Sequence, residues 1–296
     1  MSGEQGVAGA VPFGVTGATG HIGAGVANRL AAAGVRQRLV VRDPGRAPTL
    51  PGATVAQAQY RDADAMRGAL TGVHTLLLVS AAESADRVTE HLTAVEAARR
   101  AGVRRVVYTS FLGAGPASTF TLARHHWATE EALRASGMAV TFLRDSMYAD
   151  FIPFMASGED RTIRGPAGDG RVAAVARDDI CDVAAAVLLA DGAHDGRTYD
   201  LTGPRAETMQ DAADLLTELT GRPVTYVAET LEEAYRSREK YGAPSWEVEG
   251  WVTSYAAVAA GELAVVSGDV ETISGHPATG LRDLFARHPE LYAHLV

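Results

Sequence analysis

Val11-Pro12-Phe13-Gly14-Val15-Thr16-Gly17-Ala18-Thr19-Gly20-His21-Ile22-Gly23 is the stretch that decides the fold. An apolar run ends in a glycine-rich turn, and the turn opens a helical pattern. Gly17, Gly20 and Gly23 form G-x-x-G-x-x-G. In a strand–turn–helix setting the first glycine permits a tight turn. The second lets backbone approach a pyrophosphate, and the third lets helix pack on strand. The exposed N–H groups at the helix start, around His21, Ile22 and Gly23, then face an anion. Gly-rich turns also arise for steric reasons alone, so the stretch needs support from the rest of the chain.

That support comes from a regular alternation of strand and helix. After a first strand over 10–16, the spacing of Ile22, Val26 and Leu30 predicts a helix over 21–33 stopped by Gly34. Strands are expected at 38–41, 55–58, 74–79, 104–109 and 140–143. The intervening helices fall at 63–70, 84–101 and 121–136, with Asp62 as a cap of the first. Such alternation with short turns means a parallel sheet with right-handed crossovers. Beyond 143 the rhythm loosens. A short helix at 147–157 and a loop-rich stretch at 158–170 precede a helix at 178–190 and a strand at 196–201 that returns to the sheet. Further helices are expected at 207–220, 229–240 and 246–263, with a short strand at 224–227. Ser245 is the expected cap of the 246–263 helix, and Thr279 that of a last helix ending at 287. The fold class is therefore α/β: a Rossmann-type, doubly wound parallel sheet with a smaller C-terminal substrate-binding lobe. The division is 8–150 for the dinucleotide-binding part, with 179–203 returning to it, and 151–296 mainly for the lobe.

The chain has 296 residues, 47% hydrophobic and 21% charged, with a net charge of −9. An acidic balance argues against a nucleic-acid partner, which requires a basic face. The single cysteine, Cys181, supports no disulfide framework and fits a reducing, cytoplasmic setting. No apolar run reaches the ~18 residues of a membrane span, and residues 1–9 lack the pattern of a signal peptide. A small-molecule substrate is the expected partner, acting on a monomer or a homodimer. The histidines are scattered without ligand spacing, so no metal centre is expected.

In doubly wound sheets ligands sit at the carboxyl ends of the strands. The candidate cofactor residues are accordingly Thr16, Gly17, Thr19, Gly20, His21, Ile22, Gly23, Arg42, Asp62, Ser80, Ala81, Thr109 and Ser110. Arg42 follows the second strand, where an acid reads the ribose 2′-hydroxyl and an arginine accommodates a 2′-phosphate. NADP(H) is expected ahead of NAD(H), although Asp43 is placed to contact the hydroxyl instead.

T-G-A-T-G-H-I-G at 16–23, V-V-R-D-P at 40–44 and V-V-Y-T-S at 106–110 resemble the NmrA-like, atypical short-chain dehydrogenase/reductase family. The segment from His126 to Tyr148, with G-D-G-R-V at 168–172 and G-H-P-A-T at 275–279, is similar to its bacterial NADPH-dependent quinone oxidoreductase branch. The resemblance runs from about Val11 to about Phe285. It implies hydride transfer to a quinone or a similar electron-poor acceptor, without flavin or metal. It also leaves room for a redox sensor that binds the dinucleotide and a regulatory protein, or for a carbonyl or azo reductase. Short-chain dehydrogenases usually carry Tyr-x-x-x-Lys. Here Lys240 is the sole lysine and Arg236 stands four positions before it. Related reductases place a lysine where His126 stands. An acceptor that needs little acid help fits both departures.

His126 and Tyr148 are the candidate catalytic groups. His126 shares a helix face with Glu130 and can donate to a developing oxyanion, or is a surface histidine. Tyr148 follows the sixth strand and can hydrogen-bond or stack on a quinone, or pack beneath the lobe. Phe111, His126, Asp145 and Tyr148 are the candidate substrate residues. Asp145 stands where the family has Asn, which puts a nicotinamide contact in question. Trp246 and Trp251 are expected in the core or at an interface.

Overall fold

The computed structural model describes residues 11–296; the expected terminal segment 1–9 and the first residue of the 10–16 strand lie outside them. The elements, in order, are β1 (Val11–Thr16), α1 (His21–Ala32), β2 (Gln37–Val41), β3 (Ala53–Gln57), α2 (Ala63–Leu70), β4 (Val73–Leu78) and α3 (Arg87–Ala101). There follow β5 (Arg105–Phe111), α4 (Thr121–Ala135), β6 (Ala139–Asp145), a 3-10 segment Ala149–Ala156, β7 (Thr162–Gly165), β8 (Arg171–Val172) and α5 (Arg177–Leu189). The chain closes with β9 (Thr198–Leu201), β10 (Glu207–Thr208), α6 (Met209–Thr220), β11 (Thr225–Ala228), α7 (Leu231–Arg238), α8 (Ser245–Ala259), α9 (Asp269–Ser274) and α10 (Leu281–Arg287).

Seven strands form one sheet in the order β3-β2-β1-β4-β5-β6-β9, and every neighbouring pair is parallel. The order reverses between β1 and β4, which opens a crevice at their carboxyl ends. Thr16 welds that point: its hydroxyl donates to Leu77 O at 3.1 Å and accepts from Val79 N at 2.9 Å. The 196–201 segment does return, pairing Phe142 with Thr198 at the far edge.

Apolar spacing decides the layers. Ile22, Val26 and Leu30 of α1 and Ile180, Val183 and Val187 of α5 pack with Val15, Leu39 and Leu77 on one face. Met66 and Leu70 of α2, Val95 and Ala98 of α3 and Leu133 of α4 cover the other, over Leu76, Val106 and Phe142. Each fully buried Leu or Ile contributes about 1.5–3 kcal/mol relative to exposure, so both helical layers are held by their apolar stripes. A third cluster, with Ile152, Ile163, Met209, Leu216, Tyr255 and Phe285, unites the C-terminal elements. Among the described residues no helix is long and apolar enough to cross a membrane.

Element ends differ from the sequence expectation in several places, and three have a clear physical reason. Helix α3 begins at Arg87 rather than Ser84, because Ser80–Asp86 stays irregular at the crevice. Ser245 is the first residue of α8, after Pro244, and makes no capping bond. Thr279 leaves the last helix to begin after Gly280, and its N–H and hydroxyl bond Asp179 at 2.7 and 2.8 Å. A buried carboxylate needs two such donors, and they outcompete a cap.

Candidate active site

The glycine loop is built for close backbone approach. Gly17 has φ +61°, a left-handed conformation that side chains disfavour, and its carbonyl accepts from Gly20 N at 2.9 Å. A Cβ on Gly23 would fall 2.3 Å from Gly17 O, so the first turn of α1 is pressed against the loop. Gly20, the residue before α1, carries no side chain to cap the helix. The N–H groups of a twelve-residue helix are thereby left facing the crevice, which is what a diphosphate requires.

Two grooves, of about 550 and 460 Å³, meet over Gly17, Gly20 and Val79–Glu83. The first runs from β2 and β3 and holds Thr19, Arg42, Arg46, Gln59, Tyr60 and Arg61. Three arginines at this end form a positive rim, where sequence reasoning named one. Arg46 follows a turn fixed by Asp43, whose Oδ1 accepts from Gly45 N at 2.9 Å. That bond gives Asp43 a turn-forming role. The signal for Arg46 and Arg61 was their distance of a few residues from β2 and β3.

The second groove is apolar and aromatic: Phe111, Phe120, Leu122, Met147, Tyr148, Phe151, Met155 and Trp251 line it with Ser80, Ala81, Ser110, Arg87 and His126. Phe111 and Phe120 meet edge to face with centroids 5.0 Å apart. Trp251 comes from α8, far along the chain from β6, and lines this groove, where the core or an interface was expected for it. Lys240 lies outside it, its ammonium 5.1 Å from the Tyr241 ring.

Behind the wall is a polar network. The Arg87 guanidinium donates through Nε to Ala81 O at 3.0 Å and through Nη2 to His126 Nε2 at 3.0 Å. An arginine only donates, so Nε2 accepts and the ring proton sits on Nδ1, 3.0 Å from Tyr108 Oη. His91 is fixed the same way: its Nε2 accepts from Ala81 N and its Nδ1 donates to Thr129 Oγ1, both at 2.8 Å. Burial pulls the His126 pKa well below its ordinary value, and the adjacent Arg87 charge adds to this. The same causes bring His91 down to about 3.

These facts revise the expectation for His126. It is neither a surface histidine nor a free acid, since both ring nitrogens are engaged and protonation is disfavoured. Glu130 does not serve it. The Glu130 side chain is wholly buried and accepts from Ser110 Oγ at 2.6 Å, Arg144 Nε at 2.9 Å, and Arg144 Nη2 and Arg134 Nη2 at 2.7 Å. Ser110 spends its hydroxyl proton on that carboxylate.

Four other expectations move. Thr16 is fully buried in the β1–β4 weld, with Tyr60 Oη 2.5 Å from its hydroxyl, and lines neither groove. Thr109 accepts from Ser80 N at 2.8 Å and supports the crevice from behind. Asp62 caps α2, accepting from Ala65 N at 3.0 Å, while its neighbours 59–61 take the groove. Asp145 is buried beneath the pocket. Tyr148 Oη donates to its Oδ2 at 3.5 Å, Oδ1 has no partner, and burial raises its pKa well above the ordinary value. Tyr148 does reach the groove, and burial followed by the Asp145 charge pushes its phenol pKa up, so it persists as a neutral donor.

Asp179, Asp182 and His276 come together, with ligand atoms within 4.8 Å of one another. Positions far apart in sequence hid this grouping. Asp179 is occupied by Thr279, and Asp182 Oδ1 accepts from Arg29 Nε at 2.7 Å, so protein donors account for both carboxylates.

Residues 17–191 match a family described as NAD(P)H-binding. The chain is 34% identical to quinone oxidoreductase 2 of Escherichia coli K12, over 91% of this chain and 96% of that protein. The chain belongs to the NmrA-like family of NAD(P)H-binding proteins. It is also 30% identical to the NAD(P)H azoreductase of Xenophilus azovorans, over 93% of this chain and 96% of that one. The crystal structure of the NADPH-dependent quinone oxidoreductase of E. coli complexed with NADPH matches with a TM-score of 0.85 at 33% identity, covering 93% and 99% of the two chains. With this likeness to two NAD(P)H-using enzymes over nearly its whole length, the chain is an NAD(P)H-dependent oxidoreductase.

Proposed function

We propose that this protein reduces quinones or similarly electron-poor acceptors at the expense of NADPH. The observation that carries the reading is the second groove: flat aromatic and thioether walls beside the glycine loop, with no lysine and no tyrosine–lysine pair in them. Such walls suit a planar, apolar acceptor. The lack of a tuned acid suits an acceptor whose reduced oxygen is a weak base. The relatives named as quinone oxidoreductase and azoreductase support the same class.

Gly17, Gly20 and the α1 amino end would hold the diphosphate, and Arg42, Arg46 and Arg61 would hold the 2′-phosphate. When bound, the reduced dinucleotide supplies a hydride. Phe111, Met147 and Trp251 exclude water and orient the acceptor. Tyr148 turns its hydroxyl from the long 3.5 Å contact with Asp145 to donate a hydrogen bond to it, and solvent supplies the proton. Purified protein with NADPH and a panel of benzoquinones and naphthoquinones tests this directly. Oxidation of NADPH that depends on the quinone is expected, with an azo dye in the same panel marking the alternative acceptor.

A further inference from the structure

Arg87 is the first residue of α3 and is 4% exposed, yet it forms part of the wall of the acceptor groove. Its Nε and Nη2 are held by Ala81 O and His126 Nε2, and its Nη1 is buried with no protein partner. Both partners are neutral. Among the described residues no carboxylate is ion-paired with it; Glu83 acts at longer range, as do Tyr60, Tyr108 and Tyr148. Burial lowers the guanidinium pKa from its ordinary value, which reports a charge left without full compensation. Other buried charged groups of this chain are ion-paired, Glu130 with Arg144 and Arg134 and Arg238 with Glu229, and the buried Asp145, which is not, has its pKa raised toward the neutral form. A desolvated cation that keeps one donor free at a ligand groove is arranged to meet an anion from outside the protein.

Three anions are available to a reductase of this kind: the diphosphate, the 2′-phosphate, for which Arg42, Arg46 and Arg61 stand in the other groove, and the oxyanion formed on the acceptor. The diphosphate has its own cradle at the glycine loop and α1. Arg87 stands with Ser110, Phe111 and His126, on the β5–α4 side that forms the acceptor wall. We propose that Arg87 is a catalytic residue of the acceptor groove, its Nη1 donating to the oxygen on which negative charge collects as the acceptor is reduced. His126 is then a positioning residue: its neutral Nε2 accepts from Nη2 and sets the plane of the fork. The proposal rests on the reading that a quinone-like acceptor occupies this groove.

The electron count is simple. A quinone gains a hydride, that is two electrons and one proton, from NADPH, which becomes NADP⁺. One quinone oxygen becomes a phenolate, and a proton from water completes the hydroquinone. A fixed cation beside that oxygen stabilises the phenolate and favours acceptors that end as oxyanions over those that end as neutral amines.

The test reads charge stabilisation without turnover. 4-Nitrophenol is titrated in the presence of the protein saturated with NADP⁺, following the phenolate absorbance. On the wild-type protein the bound phenol should ionise about one to two pH units lower than in solution, the size expected of an opposite charge in contact. Arg87→Met should abolish the shift, and Arg87→Lys should retain about half of it, with NADP⁺ affinity and melting temperature showing that both variants are folded. Glu83 and the three tyrosines that face Arg87 are common to all the proteins compared; His91, His125 and His126 lose the Arg87 charge in the Met variant, but burial, the larger cause, keeps their pKa values lowered. An equal shift in wild type and Arg87→Met, equal loss in Met and Lys variants that are folded, or no binding of the phenolate by wild type would overturn the proposal. Phenolate stabilisation without quinone turnover would instead overturn the functional reading and leave the Arg87 site standing. In turnover, loss of one such donor should lower kcat by about 10²–10³-fold.

Discussion

The Arg87 guanidinium sits 3.0 Å from His126 Nε2 and forces that nitrogen to accept. A histidine in this position is locked neutral: protonation would place two desolvated cations against each other and break the bond.

A pH dependence of stability follows. The folded pKa of His126 lies well below its unfolded value, so the native state binds fewer protons. Its contribution is fully present above the unfolded value of about 6.5 and is lost progressively as the pH falls below it. Relative to His126→Gln, the wild type should lose about 1.4 kcal/mol per pH unit below about pH 6.5. Urea unfolding of the two proteins at about pH 7 and about pH 5 measures the difference, and parallel losses would mean that His126 is not held neutral.

Arg42 stands exposed in the positive groove with Arg46 and Arg61. Arg42→Glu replaces a charge-assisted bond with repulsion. The KM for NADPH should rise by about one to two orders of magnitude, with little change for NADH. Equal effects on both dinucleotides would place the 2′-phosphate elsewhere.

Gly23→Ala introduces a Cβ 2.3 Å from Gly17 O, with Gly17 C at 2.5 Å and Thr16 O at 2.8 Å. Backbone cannot yield as a side-chain tip does. The loop must open, at about 1–3 kcal/mol of stability, and NADPH affinity should drop at least about tenfold. Calorimetric titration with NADPH, alongside thermal melting, gives both values.

Glu130 is the buried hub of Ser110, Arg134 and Arg144. Glu130→Ala strands Arg144 and frees the Ser110 hydroxyl, and should cost about 3–5 kcal/mol. Adding Arg144→Met to it should recover part of that loss in denaturant unfolding. A double variant no better than the single one would show that the pair is not coupled.

The sheet was legible because parallel strands buried on both faces are short apolar runs, and because Gly34, Gly102 and Gly137 end helices at positive φ. The cofactor groove was half legible: strand ends mark it, so Arg42 and Ser80 were found from β2 and β4. Residues that touch the crevice only from within a turn were harder. Arg61 reaches it where Asp62, one residue on, is drawn away by the helix it caps. Thr16 and Thr109 sit at strand ends but turn inward, since the crevice edge exposes N–H groups that need a hydroxyl. Arg87 was hidden because apolar periodicity carries α3 back to Ser84. The irregular Ser80–Asp86 segment is shaped by bonds to Thr109, His91 and Arg87 that no local pattern encodes. Trp251 belongs to a helix brought over the sheet by tertiary packing alone.

The aromatic groove beside the glycine loop is proposed to receive a quinone for reduction by NADPH. Steady-state loss of NADPH absorbance, with a panel of quinones and with each quinone omitted in turn, tests it most directly. Saturable, quinone-dependent oxidation that is faster with NADPH than with NADH is the expected result. NADPH that binds but is oxidised by no quinone in the panel would contradict it.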